Sequence, residues 1–305
     1  MRKICLLSAA LCLFAATLSD PLRAEEPEQP RTFGEALTGG TAKVSLRYRF
    51  EAVDDDAFED TAEASTLRTT LSYFTAEWRG WSAFAEAENV AGVFDDDGYN
   101  NAGSGSLNNG VRGVPVVADP EITVINQAFA RFRNDRLKVT LGRQAINLGD
   151  QRFVGAVAWR QHHQTFDAAR LEVDTGSWLK LDYTFATRVN RIVGNRLDFE
   201  SHFLFVPMSF GGDQRLTAYG FYLDYEEALL ASTSTYGLEY KGKFALGDRS
   251  SLSLELEAAE QRDVGDNPLE IDTQYLLATL GFDVGAVGFD ASWEVLGGSD
   301  GGQRS

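Results

Sequence analysis

Apolar and polar residues alternate along most of this chain. In KVSLRYRFE (43–51), Val44, Leu46, Tyr48 and Phe50 interleave with Ser45, Arg47, Arg49 and Glu51. A period of two sends successive side chains to opposite faces of a β-strand. The same alternation returns in TLRTTLSYFT (66–75), WSAFAEAENV (81–90), WLKLDYTFATR (178–188), TYGLEYKGKF (235–244), LSLELEAAE (252–260) and VGFDASWEV (287–295). Helical spacing is nowhere sustained. The pattern predicts an all-β chain of about thirteen strands, the last at Phe289–Val295.

Connection lengths narrow the architecture. An acidic loop, VDDDAFEDTAEA, separates the first two strands, and the tight EWRG separates the second from the third. A loop of about thirty residues follows (92–120), then a short turn near Asn134 and Asp135. Short turns recur at Asp174–Ser177, Gly211–Gln214, Leu246–Ser250 and Gly285–Val287. Long loops at one end and short turns at the other are what a bacterial outer-membrane barrel requires, with strands of ~10 residues crossing an apolar band of ~25 Å. A secreted β-sandwich is the soluble alternative, but it has no reason to gather its long loops at one end. The sequence is therefore read as a transmembrane antiparallel up-and-down β-barrel. The odd count ending in GGSDGGQRS predicts that the barrel is C-terminally incomplete, since single-chain bacterial barrels have even strand numbers.

The N-terminus adds a compartment. Arg2 and Lys3 precede the apolar run Ile4–Leu18, and Ala24 offers a small residue for cleavage, so residues 1–24 read as a secretory signal peptide. The predicted mature chain starts at Glu25, with a periplasmic N-terminal segment over 25–40 and the barrel over 41–305. N-terminal sequencing of membrane-extracted protein should find Glu25; an intact Met1 would refute the assignment. Cys5 and Cys12 both lie inside the signal, so the mature chain has no thiol and no disulfide frame. Removing Arg2, Lys3, Arg23 and Asp20 takes the net charge from −17 to −19. Such a surface repels nucleic acid. The mean hydropathy of −0.22 agrees with a barrel in which alternate residues alone face lipid.

Sorting strand charges by parity predicts which of them face the lumen. In the first seven strands the basic set is Arg47, Arg49, Arg68, Arg131, Arg133, Lys138, Arg170, Lys180 and Arg188, against Glu51, Glu86, Glu88, Glu172 and Asp182. After the eighth strand the sign reverses, with Asp224, Glu239, Glu255, Glu257, Asp290 and Glu294 against Lys241 and Lys243. Lining charges of this kind set channel selectivity. Arg143 breaks parity with Lys138 and Thr140, which predicts a bulge near Gly142 or a position beyond the membrane. The loop carboxylates Asp54, Asp55, Asp56, Asp95, Asp96 and Asp97 are weak candidates for Ca²⁺ or Mg²⁺, bridging to lipopolysaccharide phosphates.

The stretch VGAVAWRQHHQTFDAARL (154–171) resembles an active site, with two of the three histidines. On an extended segment, however, His162 and His163 point to opposite faces and cannot share a metal or an acid–base role. Asp167 lies four residues from His163, and Ser201–His202 lacks an evident third group. The residues argue against an enzyme, and no cofactor motif is present. Arg143, Arg152, Arg160 and Arg170 fit a loop-and-strand constriction that reads a passing anion, because guanidinium groups bind carboxylates bidentately and stay charged.

The run GRQAINLGDQRFVGAVAWRQ followed by QTFDAAR (142–170) closely resembles the alginate export family of outer-membrane porins. NQAFARF (126–132), WSAFAEAENV and YGLEYKGKF (236–244) support the likeness, which runs from about residue 32 to the end. The resemblance implies a barrel of about eighteen strands with an arginine-rich lumen passing an anionic polysaccharide such as alginate. It also implies outer-membrane lipid and lipopolysaccharide as surroundings and periplasmic export components as candidate partners. A nutrient porin for other small solutes, or a plugged surface-binding barrel, remains open from the residues.

Overall fold

The computed structural model describes residues 4–13, 30–94 and 98–298, the first of these as backbone. Strand β1 (Ile4–Leu13) lies within the expected signal and pairs antiparallel with Leu46–Asp55 of the next strand. A short helix, α1 (Phe33–Thr38), follows, capped by Thr32, whose hydroxyl accepts from the Glu35 amide. This helix was not anticipated, because six residues are too few to show helical periodicity. The expected strands come next: β2 (Thr41–Asp55), β3 (Ala62–Phe74), β4 (Trp81–Gly92), β5 (Ile122–Arg133), β6 (Leu137–Gln144), β7 (Thr165–Asp174) and β8 (Lys180–Asn190). They continue as β9 (Arg196–Phe210), β10 (Asp213–Tyr225), β11 (Thr233–Gly247), β12 (Ser250–Asp263), β13 (Asp272–Val284) and β14 (Val287–Leu296). Strands neighbour one another in chain order, the topology of a meander.

The chain forms two compact units, one of residues 1–132, 140–167 and 189–196, the other of 133–139, 168–188 and 197–305. In the first unit the arrangement of a soluble protein is inverted. Val44, Leu46, Leu71, Ile125 and Leu141 are exposed on one face, while Arg49, Glu51, Thr66 and Glu88 are buried on the other. Apolar side chains gain from leaving water, so an apolar outer face with a charged inner one calls for lipid outside. The second unit repeats this. Leu204, Leu238, Leu256, Leu280 and Phe289 are exposed, whereas Thr217, Glu239 and Glu257 are buried. There Lys241 sits 2.7 Å from Glu239 and 3.0 Å from Glu255. Asp224 departs from the expected inner set: it alternates with Tyr219 and Phe221, and pairs in register with Glu200. Tyr222, on the same face, donates to it.

Short hairpins such as Gly211–Gly212 and Gly285–Ala286 alternate with the longer connections at 56–61, 93–121 and 145–164. Connections 98–121 and 145–164 carry the chemistry of the first unit.

Candidate functional site

Strand register builds the base of the site. Arg47 on β2 stands directly opposite Arg68 on β3, and Arg49 opposite Thr66. Like charges directly opposite one another destabilise a sheet. The compensation comes from the loop at 145–164. Val157 takes a left-handed conformation (φ 52°), and the Arg160 amide closes a turn onto the Val157 carbonyl at 3.0 Å. That turn aims successive carbonyls at the guanidiniums. Arg47 donates to the carbonyls of Ala158 (3.0 Å), Trp159 (2.7 Å) and Arg160 (3.1 Å). Arg49 donates to Trp159 O at 3.0 Å and Arg68 to Gln161 O at 3.0 Å.

A buried ion cluster secures the same loop. Glu51 accepts from Arg49 and, at 3.2 Å, from Arg160. Asp119 lies 3.4 Å from Arg49 and 3.9 Å from Arg160. Asp119 is placed by the other loop, where Tyr99 and Val117 pack on Val53, Ala62 and Ala64 and the Tyr99 hydroxyl donates to Asp119 O. Its second carboxylate oxygen accepts from the Gln161 amide at 3.0 Å. Burial pushes the Arg160 guanidinium below its ordinary range and Arg49 acts in the same direction, while Asp119 and Glu51 oppose them. Arg160 nevertheless stays cationic at physiological pH. Both Arg49 and Arg160 lie over the Trp159 ring, at 5.5 and 4.2 Å. Gln161 is fully buried, and its amide donates to Thr66 and to the Arg47 carbonyl.

The paired histidines lie just beyond. Residues 159–164 are not in a strand, so the expected opposition of His162 and His163 does not hold. His162 Nδ1 is 2.6 Å from Glu88 Oε1, and His163 Nδ1 is 3.5 Å from Glu88 Oε2. Asp167 is bound by Arg143 through two bonds (2.7 and 3.1 Å) and by Asn190. Next to Arg143, Gly142 has φ 123°, and β5 carries an extra residue at Asn126 opposite Glu86–Ala87. The register shift lies in β5 at Asn126, while Gly142 in β6 shows the positive φ. Arg143 itself keeps a carboxylate partner, which offsets the energy of a lone charge.

Of the remaining arginines expected at the pore, Arg131 lies over the Phe129 and Phe74 rings and Arg152 pairs with Asp150. Arg133 is exposed at the end of β5. Arg170 binds Asp182 and Arg188 binds Asp198 within the second unit. Of the ten, Arg47, Arg49, Arg68 and Arg160 converge on loop 145–164. Sequence reasoning placed Gln161 beside the histidines without giving it a role and missed Asp119 and Asn126 as site residues, since neutral side chains and a lone loop aspartate carry no periodic signal. Asp54 and Asp56 are exposed, and the Asp55 carboxylate caps the Ala57 amide. Asp95, Asp96 and Asp97 lie outside the described residues.

A family model described as alginate export matches residues 41–294. The chain belongs to the alginate export family. Solved structures share the fold of this alginate export family member at low identity. Acinetobacter baumannii OccAB2 is 14% identical with a TM-score of 0.69, over 86% of this chain and 68% of that one. Pseudomonas aeruginosa OpdL is 17% identical (TM-score 0.65), over 87% and 67%. Pseudomonas aeruginosa OpdK, solved with vanillate, is 14% identical (TM-score 0.64), over 85% and 70%. No curated protein matches. The family member is thus an outer-membrane β-barrel of porin fold, which accounts for the apolar outer and charged inner faces.

Proposed function

We propose that this protein is a channel for anionic solutes, carboxylated sugars or their polymers foremost, with loop 145–164 as its selectivity element. The observation that carries this reading is the facing pair Arg47 and Arg68, joined by Arg49 and Arg160 around one inward-folded loop. Opposed guanidiniums cost stability in a sheet, and the carbonyls of one loop that hold them there concentrate positive charge in a place that suits a passing carboxylate. Guanidinium forks suit carboxylates, and the vanillate seen with OpdK is itself a carboxylate. The net charge of −17 does not oppose this. Charges on loops in salt solution act over a Debye length of ~8 Å, whereas groups inside the lumen are less screened.

The expected result in planar bilayers is an anion-selective channel. Arg47→Ala with Arg68→Ala should lower the anion-to-cation permeability ratio several-fold and weaken block by uronate oligomers, while Asp54→Asn with Asp56→Asn should change neither. A cation-selective wild type, indifferent to the arginine substitutions, would overturn the proposal. A second reading, a plugged surface barrel, is favoured by how firmly the loops are seated, with Gln161, Ile146, Val154 and Tyr99 buried. Absence of conductance in a folded protein would select it.

A further inference from the structure

Glu86, Glu88 and His163 form a second cluster in the first unit, separate from the arginines. One ligand atom from each lies within 4.8 Å of the others. His163 Nδ1 is 3.5 Å from Glu88 Oε2, and His163 Nε2 is 3.8 Å from Glu86 Oε1. These separations are long for hydrogen bonds. They use opposite nitrogens of the imidazole, of which one ion takes only one; the 3.5 Å from Nδ1 to Glu88 Oε2 is close to the ligand–ligand edge of about 3.4 Å in a tetrahedral site with metal bonds of about 2.0–2.1 Å. Glu88 Oε2 is buried and makes no hydrogen bond, on a carboxylate whose side chain is 0% exposed. A buried carboxylate oxygen without a donor is costly, and a cation between Glu86, Glu88 and His163 would satisfy it.

The surroundings orient these three side chains as outer partners orient metal ligands. His162 holds Glu88 through Oε1 and leaves Oε2 turned toward His163. Gln127 donates to Glu86 Oε1 at 3.2 Å and accepts from the Ala145 amide. The bulge in β5 brings the consecutive residues Asn126 and Gln127 to the same cluster, which regular alternation forbids. The Asn126 amide stands 3.0 Å from both ring nitrogens of His163, so it can serve only one and leaves the other for a ligand. Turned over, with Oδ1 in place of Nδ2, it accepts the N–H that a metal-bound imidazole must donate.

The geometry points to a divalent transition-metal site formed by Glu86, Glu88 and His163, which ties loop 145–164 to β4. Imidazole nitrogen beside two carboxylates favours Zn²⁺ and its neighbours over Ca²⁺ or Mg²⁺. The bound ion would also offset the paired negative charge of Glu86 and Glu88.

The test uses the whole chain, folded in detergent micelles and checked by its heat-modifiable mobility. Titration with Zn²⁺ should give one ion per chain, and Co²⁺ should give a visible absorption band typical of low coordination number. Ca²⁺ at the same concentration should not compete. His163→Gln and Glu86→Gln, both at partly accessible positions, should each weaken Zn²⁺ binding by about ten-fold or more and diminish the Co²⁺ band. Lack of stoichiometric uptake by the wild type would overturn the proposal and assign the cluster to histidine–carboxylate ion pairs. Uptake with equal affinity in both folded variants would overturn it as well, placing the ion elsewhere.

Discussion

Glu51→Gln is expected to release loop 145–164 from the sheet and to lower the stability of the folded protein by about 3–5 kcal/mol, the range for breaking a buried ion pair from one side. Glu51 is buried and receives two guanidiniums, Arg49 from its own strand and Arg160 from the loop. Glutamine keeps the shape but not the charge. Asp119 would then face both cations alone, from 3.4 and 3.9 Å. The readouts are a lower temperature for the loss of heat-modifiable mobility and faster tryptic cleavage at Arg152 and Arg160 in intact outer-membrane vesicles. Asp54→Asn, at an exposed position on the same strand, is the control and should change neither. Adding Arg160→Met to Glu51→Gln should restore part of the stability, because it removes the cation that the first change strands. A Glu51→Gln protein as stable and as protease-resistant as the wild type would show that the cluster does not seat the loop.

Gly142→Ala should largely prevent assembly. Gly142 has φ 123°, a region that residues with a side chain rarely enter, and strain of that kind costs about 1–3 kcal/mol. A Cβ there would also press into the Ala128 carbonyl oxygen and the Phe129 backbone of β5. These are backbone atoms of a paired strand, so they cannot turn aside as a flexible side chain does, and overpacking adds about 1–3 kcal/mol. The two effects act on the junction that also holds Arg143 against Asp167. Refolding yield into micelles, read from the heat-modifiable fraction, should drop sharply for Gly142→Ala. It should stay near wild type for Gly176→Ala, whose Cβ would meet nothing within 4 Å although its φ is also positive, at 73°. Equal yields for the two variants would show that the close approach to β5 does not govern assembly.

Much of the fold is legible in the chain because strand structure is written locally. Alternation in KVSLRYRFE already separates Val44 and Leu46 from Arg47 and Arg49, and the structure exposes the first pair while drawing the second inward. Turn residues such as Gly211 and Gly285 mark the short connections, and the length of 93–121 and 145–164 marks the long ones. The resemblance carried by residues 142–170 agrees with the family match over 41–294. Parity worked least well at Arg143 and Asp224. Arg143 follows Gly142, whose φ is 123°, and β5 bulges at Asn126, where an extra residue resets the alternation; Asp224 lies in unbroken register on β10, whose apolar residues occupy both faces and so leave the parity undecided.

Local sequence accounts for the all-β class, the strand order, the alternation of short and long connections and the separation of an apolar face from a charged one, since each depends on neighbours a few positions apart. The course of loop 145–164 and the partners of the charges come from long-range packing. Gln161 meets the Arg47 carbonyl across 114 positions of chain, and Arg160 meets Glu51 across 109. Contacts at such separations arise from how loops pack on the sheet, and no periodicity encodes them. The same packing takes His162 and His163 out of any strand, so both reach Glu88 instead of pointing apart. It also brings Asp119 to Arg49 and Arg160 to Glu51, and it seats loop carbonyls on the facing Arg47 and Arg68. Charge type is a property of residues; charge pairing is a property of the folded loop.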